Sequence, residues 1–338
     1  MRIVFLDQST KLNTVVDLDK HARGGMVTSL FKVTDHLVTC GHDVTVISDI
    51  KSTGVTRTGT KWLHETLGRY DVLVTNRGVG DGYPQIDARH RVLWTHDLPH
   101  MGMIIEPRTI CAYDRTVFMS KYAEKVWRSF FKHIGKSTLI PNGVDKKEFY
   151  PRMKIPDYMI FASNPNRGLE RLPFLHACIQ QKVGRPLQMR AYSNREVLHP
   201  GEHGEFEDIY KEVEESEVEL CDPVPQQAFA NEIGKASLML LPTDYPEICS
   251  NIILQSLVSG TPVVTTGNLG SAGEWIKDGK NGKLTSWYPH DYMVYQVDFI
   301  RDAVAALNNK RMQKAAAATR ILSWPEVGTA WNKMLHRL

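Results

Sequence analysis

Apolar residues fall along this chain in two alternating forms, short continuous runs and stretches with helical spacing. In the first half the runs are "RIVFL", "HDVTVIS", "YDVLVTN", "RVLWTH" and "DRTVFMS". Runs without polar alternation suit strands covered on both faces, and so a parallel sheet. Between the first two, "GGMVTSLFKVTDHLVTCG" spaces Met26, Leu30, Val33, Leu37 and Val38 close to a helical repeat and stops at Gly41. Strand, glycine turn, helix and strand make a βαβ unit. A second series, "YMIFAS", "LQMRAYS", "VELCD", "SLMLLPT" and "TPVVTT", begins near residue 157, each run parted from the next by a plausible helix. The pattern predicts two doubly wound α/β domains. Between them "LIPNGVDKKEFYPR" is rich in turn residues, so the expected division is 1–145 and 146–323. The tail from about 290 reads as helical, with a break before Pro325.

Composition agrees with two cores. A chain of 338 residues is long for one core and comfortable for two of roughly 150 each. With 42% hydrophobic and 23% charged residues it has neither the charge excess nor the apolar poverty of a disordered chain. Residues 1–150 hold 21 Lys and Arg against 16 Asp and Glu, a net +5 where the whole chain carries +3, which leaves −2 for the remainder. That bias is too weak for a nucleic-acid binder, and it suits an anionic small molecule or a membrane surface. The five cysteines are scattered, without a C-x-x-C pair, so neither a disulfide framework nor a zinc site is expected and a reducing cytosol fits. The apolar start of "MRIVFLDQST" is too short for a signal sequence and reads as a first strand.

Four places carry chemistry. Gly24 and Gly25 open the first helix, where bare backbone N–H groups and the helix dipole can meet a phosphate; a plain turn explains the pair as well. The dinucleotide fingerprint G-x-G-x-x-G is absent there, which counts against a dehydrogenase. His96 ends the strand "RVLWTH", on the edge where ligands of open α/β sheets bind, with a structural role as the other reading. In "FASNPNRGLERL", Arg167 and Gly168 stand between a strand and a helix, so Arg167 is either a diphosphate clamp or a solvated loop residue. "PEICSNIILQSLVSGTPVV" sets Glu247 ahead of an apolar helix whose first amides, about Cys249 to Ile252, can bind an anion. Gln255, eight positions on, returns to roughly the same face. The alternative is an acid that complements the helix dipole and a half-exposed amide.

Together these stretches resemble retaining glycosyltransferase family 4, along with "FMSKYAEKVW", "IPNGVD" and "GEWIKDGKNGKL". The resemblance covers nearly the whole chain. It implies the GT-B architecture, two Rossmann-like domains facing across a cleft, with the final helix 324–338 crossing back to complete the N-terminal one. A cap on the second domain is the other place for that helix. The implied activity is transfer of a sugar, with retention, from a UDP-, GDP- or ADP-sugar to a glycan, lipid-linked or other hydroxyl acceptor, with no cofactor and no metal. By residue, Glu247 is implied to hold the sugar hydroxyls. The amides of Ile248, Cys249, Ser250 and Asn251 are implied to hold the diphosphate, Arg167 with Gly24 and Gly25 to neutralise the leaving phosphates, and His96 to contact the sugar. Val224, in "CDPVP", matches the position whose backbone meets the nucleobase. Three departures stand out: Ala162 and Ser163 replace a Gly-Arg pair, Arg167 replaces a Lys, and Gln255 replaces the second acid. An amide cannot grip two ribose hydroxyls as a carboxylate does. A nucleotide-sugar epimerase and a degenerate sugar-nucleotide scaffold are the competing readings. The expected location is cytoplasmic. Residues 121–136, with Val126, Trp127, Phe130 and Phe131 among basic side chains, form either a peripheral membrane contact or an ordinary amphipathic surface helix. Acceptor specificity is expected in the loops 8–23, 51–62 and 77–90.

Overall fold

The computed structural model describes residues 1–12, 24–50, 53–64, 68–77, 86–99, 101, 110–193, 204, 206–222 and 224–338. Parts of each expected acceptor loop, 13–23, 51–52 and 78–85, lie outside the described residues. The chain forms two units, one of residues 1–20, 25–143 and 322–338, the other of 21–24 and 144–321.

The first unit contains β1 (Arg2–Leu12), α1 (Gly25–Thr39), β2 (Asp43–Ile50), β3 (Gly54–Val55), β4 (Lys61–Leu63), β5 (Tyr70–Asn76), β6 (Ala88–Trp94), β7 (Arg115–Phe118), α2 (Lys121–Phe130) and β8 (Lys136–Leu139). Their order in the sheet is β3-β4-β2-β1-β5-β6-β7-β8. All neighbours are parallel except β3 and β4. The strand order reverses at β1, between β2 and β5, so the carboxyl ends of β1 and β5 flank the crevice where this topology binds ligands. One face of the sheet, Ile3, Phe5, Val72, Val74, Val92, Trp94 and Val117, is covered by Leu30, Val33 and Leu37 of α1 and by residues from the chain's end.

The second unit runs β9 (Tyr158–Ala162), α3 (Leu172–Val183), β10 (Gln188–Tyr192), α4 (Glu207–Glu214), β11 (Glu219–Cys221), α5 (Gln226–Lys235), β12 (Leu238–Leu241), α6 (Asn251–Val258), β13 (Val263–Thr266), α7 (Ala272–Trp275), β14 (Gly282–Thr285), α8 (Tyr292–Ala306) and α9 (Lys310–Ala317). Its strands are all parallel, in the order β11-β10-β9-β12-β13-β14. This is the Rossmann order, with its switch point between β9 and β12. The central strands are fully enclosed: Tyr158 to Phe161 of β9 and Leu238 to Leu241 of β12 all lie in the core. Continuous apolar runs thus became buried parallel strands, as their lack of alternation requires.

After Ile321 the chain returns to the first unit as α10 (Trp324–Leu335). Ser323 caps it through a reciprocal pair with Glu326, and Pro325 sits in the first turn, where its missing N–H costs nothing. Trp324, Val327, Trp331, Met334 and Leu335 join the core over β1 and β6. The basic stretch expected as one helix over 121–136 is helical only to Phe130. Trp127 and Phe131 are buried, so most of its apolar stripe serves the core, while Phe130 is 55% exposed.

Candidate functional site

Three loops leave the carboxyl ends of the central strands of the second unit. The loop after β9 closes with a 3₁₀ turn, Pro165–Arg167. Gly168 follows with φ 97°, a left-handed conformation open to glycine, and a side chain there would run into the carbonyl of Pro242. The two loops are thereby pressed together. A second 3₁₀ turn, Leu169–Arg171, brings Arg171 beneath them. Its Nη1 donates to Pro242 O at 2.5 Å and its Nη2 to Asp244 Oδ2 at 2.8 Å, while Trp287 lies 5.0 Å from the guanidinium. Arg171 is 7% exposed and is paired with both Asp244 and Glu170.

Arg167, in turn, meets Glu247. Arg167 Nε donates to Glu247 Oε1 at 2.5 Å and Nη1 donates to Asn166 Oδ1 at 2.5 Å. The guanidinium lies 3.4 Å from the centre of the Tyr245 ring, a stacked cation–π contact. Both charged side chains are largely enclosed, at 14% and 19% exposure. The backbone of Glu247 is held at both ends: its N–H donates to Tyr245 O at 2.9 Å and its carbonyl accepts from Ser271 N at 2.7 Å. Gly270, φ 72°, lies flat against that backbone.

The helix after Glu247 begins at Asn251, two residues later than the sequence suggests. Residues 247–250 lie outside the helix. Ile248, Cys249 and Ser250 therefore form its approach, and Ser250 is the cap, with no side-chain capping bond and no acid in the first turn. That end carries the positive pole of the helix dipole. Asn251 and Gln255 are the two half-buried positions of α6, one turn apart, whereas Ile252, Ile253, Leu254, Ser256, Leu257 and Val258 are buried. Glu247 thus lies on the preceding loop and not on a shared helix with Gln255, which corrects the two-turn spacing argument. Val224 is half-buried in the loop after β11, just before the cap of α5.

His96 follows β6 in the first unit. Its ring lies 4.5 Å from Trp94, and its Nε2 is buried with no hydrogen-bond partner among the described residues. Burial, with the nearby Arg77 charge second, pulls its pKa down to about 3. Arg77 takes up a left-handed φ of 72° and pairs with Asp97. Asn76, at the end of β5, is 1% exposed with both side-chain amide atoms unpartnered among the described residues, a buried polar group that pattern reading passed over. Gly24 and Gly25 stand at the start of α1, and a side chain on Gly24 would meet nothing within 4 Å. Among the described residues no group of three or more His, Cys, Asp or Glu is placed to hold a metal ion.

Two Rossmann-like units, with the last helix returned to the first, define the GT-B fold of glycosyltransferases. Residues 174–307, within the second unit, match the family described as Glycosyl transferases group 1. The fold is similar to that of sucrose-phosphate synthase from Thermosynechococcus elongatus, with a TM-score of 0.73 and 15% identity over 99% of this chain and 98% of that one. It is similar also to a glycosyltransferase from Rickettsia africae, with a TM-score of 0.71 and 13% identity over 99% and 98% of the two chains. Anabaena HepE in complex with UDP and glucose gives a TM-score of 0.69 at 14% identity, over 100% of both chains. No curated protein sequence matches the chain.

Proposed function

We propose that this protein is a retaining glycosyltransferase of family 4 that moves a sugar from a nucleotide-sugar donor to a hydroxyl acceptor without a metal ion. The observation that carries this reading is the grouping, at the switch point of the second unit, of Arg167, Glu247 and the uncapped start of α6. A cation and a helix N-terminus suit a diphosphate, and a carboxylate beside them suits sugar hydroxyls. The UDP and glucose present in the HepE structure are in keeping with it.

In the proposed reaction the bond between the anomeric carbon and the diphosphate breaks as the acceptor oxygen adds from the same face. The acceptor proton passes to the departing phosphate oxygen. Negative charge grows on the diphosphate, where Arg167 and the α6 amides stabilise it. Glu247 accepts from sugar hydroxyls, Gln255 and Asn251 offer amides to the ribose, and the Val224 backbone meets the base. Acceptor recognition falls to the first unit, where Asn76 and Nε2 of His96 are enclosed polar groups without partners among the described residues.

No described helix is long and apolar enough to cross a membrane. A cytoplasmic enzyme that touches an anionic membrane through Lys121, Lys125, Arg128 and the exposed Phe130 fits a lipid-linked acceptor.

Thermal-shift titration with UDP, GDP, ADP and their glucose conjugates tests the reading, since a ligand of the native state alone raises Tm. One nucleotide series is expected to stabilise the protein, its sugar conjugate to be slowly hydrolysed, and Glu247→Ala to abolish hydrolysis with the fold intact. Isomerisation of the sugar points instead to an epimerase, and binding without turnover to a scaffold.

A further inference from the structure

Arg167 and Glu247 are both needed by the donor, yet each is occupied by the other. Guanidinium has five N–H donors, and two are used here, one on Glu247 Oε1 and one on Asn166 Oδ1. The remaining donors have no partner among the described residues. Tyr245 holds the plane of the group from one side. Both backbones are fixed: Glu247 by Tyr245 and Ser271, Arg167 by the 3₁₀ turn and by Gly168 packed on Pro242. Any change of partner is therefore a movement of side chains between stationary loops.

The competition is one-sided. Neutral sugar hydroxyls cannot displace a guanidinium from a carboxylate at 2.5 Å, because the charge-assisted bond is the stronger. A diphosphate can take the guanidinium, since it offers more charge and several oxygens to the same fork. Once it does, the Glu247 carboxylate is left needing donors, and hydroxyl groups supply them.

We propose that the Arg167–Glu247 pair is an exchange contact that makes recognition of the donor sugar conditional on the diphosphate. This rests on the donor-site reading above and adds to it an order of recognition, diphosphate first and sugar second. Coupling of this kind is reciprocal, so sugar hydroxyls on Glu247 also strengthen the hold of Arg167 on phosphate. It gives the site a preference for intact nucleotide-sugar over free sugar, and Tyr245 becomes a positioning residue that keeps the guanidinium in reach of both partners.

Titration calorimetry at low salt tests this with UDP, or with GDP or ADP where that is the nucleotide that binds. Wild type, Glu247→Gln, Glu247→Ala, Arg167→Gln and the Arg167→Gln/Glu247→Gln double variant are compared, each checked for native circular dichroism. The two Glu247 variants are expected to bind the free nucleoside diphosphate about tenfold more tightly than wild type, near 1.4 kcal/mol, because Arg167 no longer has to leave a charged partner. Arg167→Gln is expected to bind more weakly, and the gain from Glu247→Gln to vanish in its background. Unchanged or weaker binding by both Glu247 variants overturns the exchange, as does a gain that survives the loss of Arg167. Absence of nucleotide binding by wild type and Glu247 variants alike overturns the donor-site reading, and the exchange with it.

Discussion

His96 shows how a single residue records its surroundings in its protonation. Burial first, and the Arg77 charge second, bring its pKa to about 3, against 6.5 for the unhindered side chain. The unfolded chain therefore takes up a proton between pH 6.5 and 3 that the folded chain refuses. Stability contributed at this position is highest above pH 6.5 and falls as pH is lowered through that window. We expect His96→Asn to flatten the acid limb, so that its Tm gains on wild type steadily from pH 7 to pH 4 in differential scanning calorimetry; parallel curves count against a buried neutral imidazole. At this scale the sequence was partly legible. Glu247 and Arg167 were readable because their residue types follow from charge chemistry at strand ends. Tyr245 and Arg171 were not, since the 3.4 Å stack and the bond to Pro242 join residues more than 70 positions apart. Asn76 also escaped, being one polar residue at the end of an apolar run.

At the scale of elements, the loops after β9, β12 and β13 make one assembly, and its tolerances are set by backbone. Ser271 N donates to Glu247 O, and α6 starts only at Asn251, a boundary that apolar spacing alone does not mark. Gly270 makes that contact possible: its φ of 72° suits glycine, and a Cβ would press into the Glu247 backbone. Gly270→Ala is expected to cost about 1–3 kcal/mol of stability. The same change should lower donor turnover by more than the loss of folded protein, because the carboxylate moves with its backbone. Chemical denaturation and turnover per folded molecule separate the two effects, and a variant with wild-type turnover means that the loop contact is structural only. The strands and helices themselves were legible, since unbroken apolar runs and helical repeats leave few other placements. The short strands β3, β4, β8 and β14 carry no such run and went unread.

For the whole molecule, the chain enters the second unit at Val144 and leaves it at Ile321, so the first unit is built from both ends of the sequence. Its core depends on that return. Trp331 is fully enclosed, 4.8 Å from Trp94 and 6.1 Å from Phe5, on the sheet face that α1 also covers. Apolar spacing in the tail predicts a helix but not which core receives it, and only the GT-B resemblance pointed to the first unit. Trp331→Ala removes the largest side chain from this junction and leaves a cavity, at a cost of about 3–5 kcal/mol. That loss should fall on the first unit alone. Calorimetry is expected to show one transition moved to lower temperature, while the affinity for nucleoside diphosphate, a property of Arg167 and α6, stays within about twofold of wild type, under ~0.5 kcal/mol. A larger fall in nucleotide affinity, with the second unit still folded, means that the donor site draws on the first unit and that residues 144–321 do not hold it by themselves.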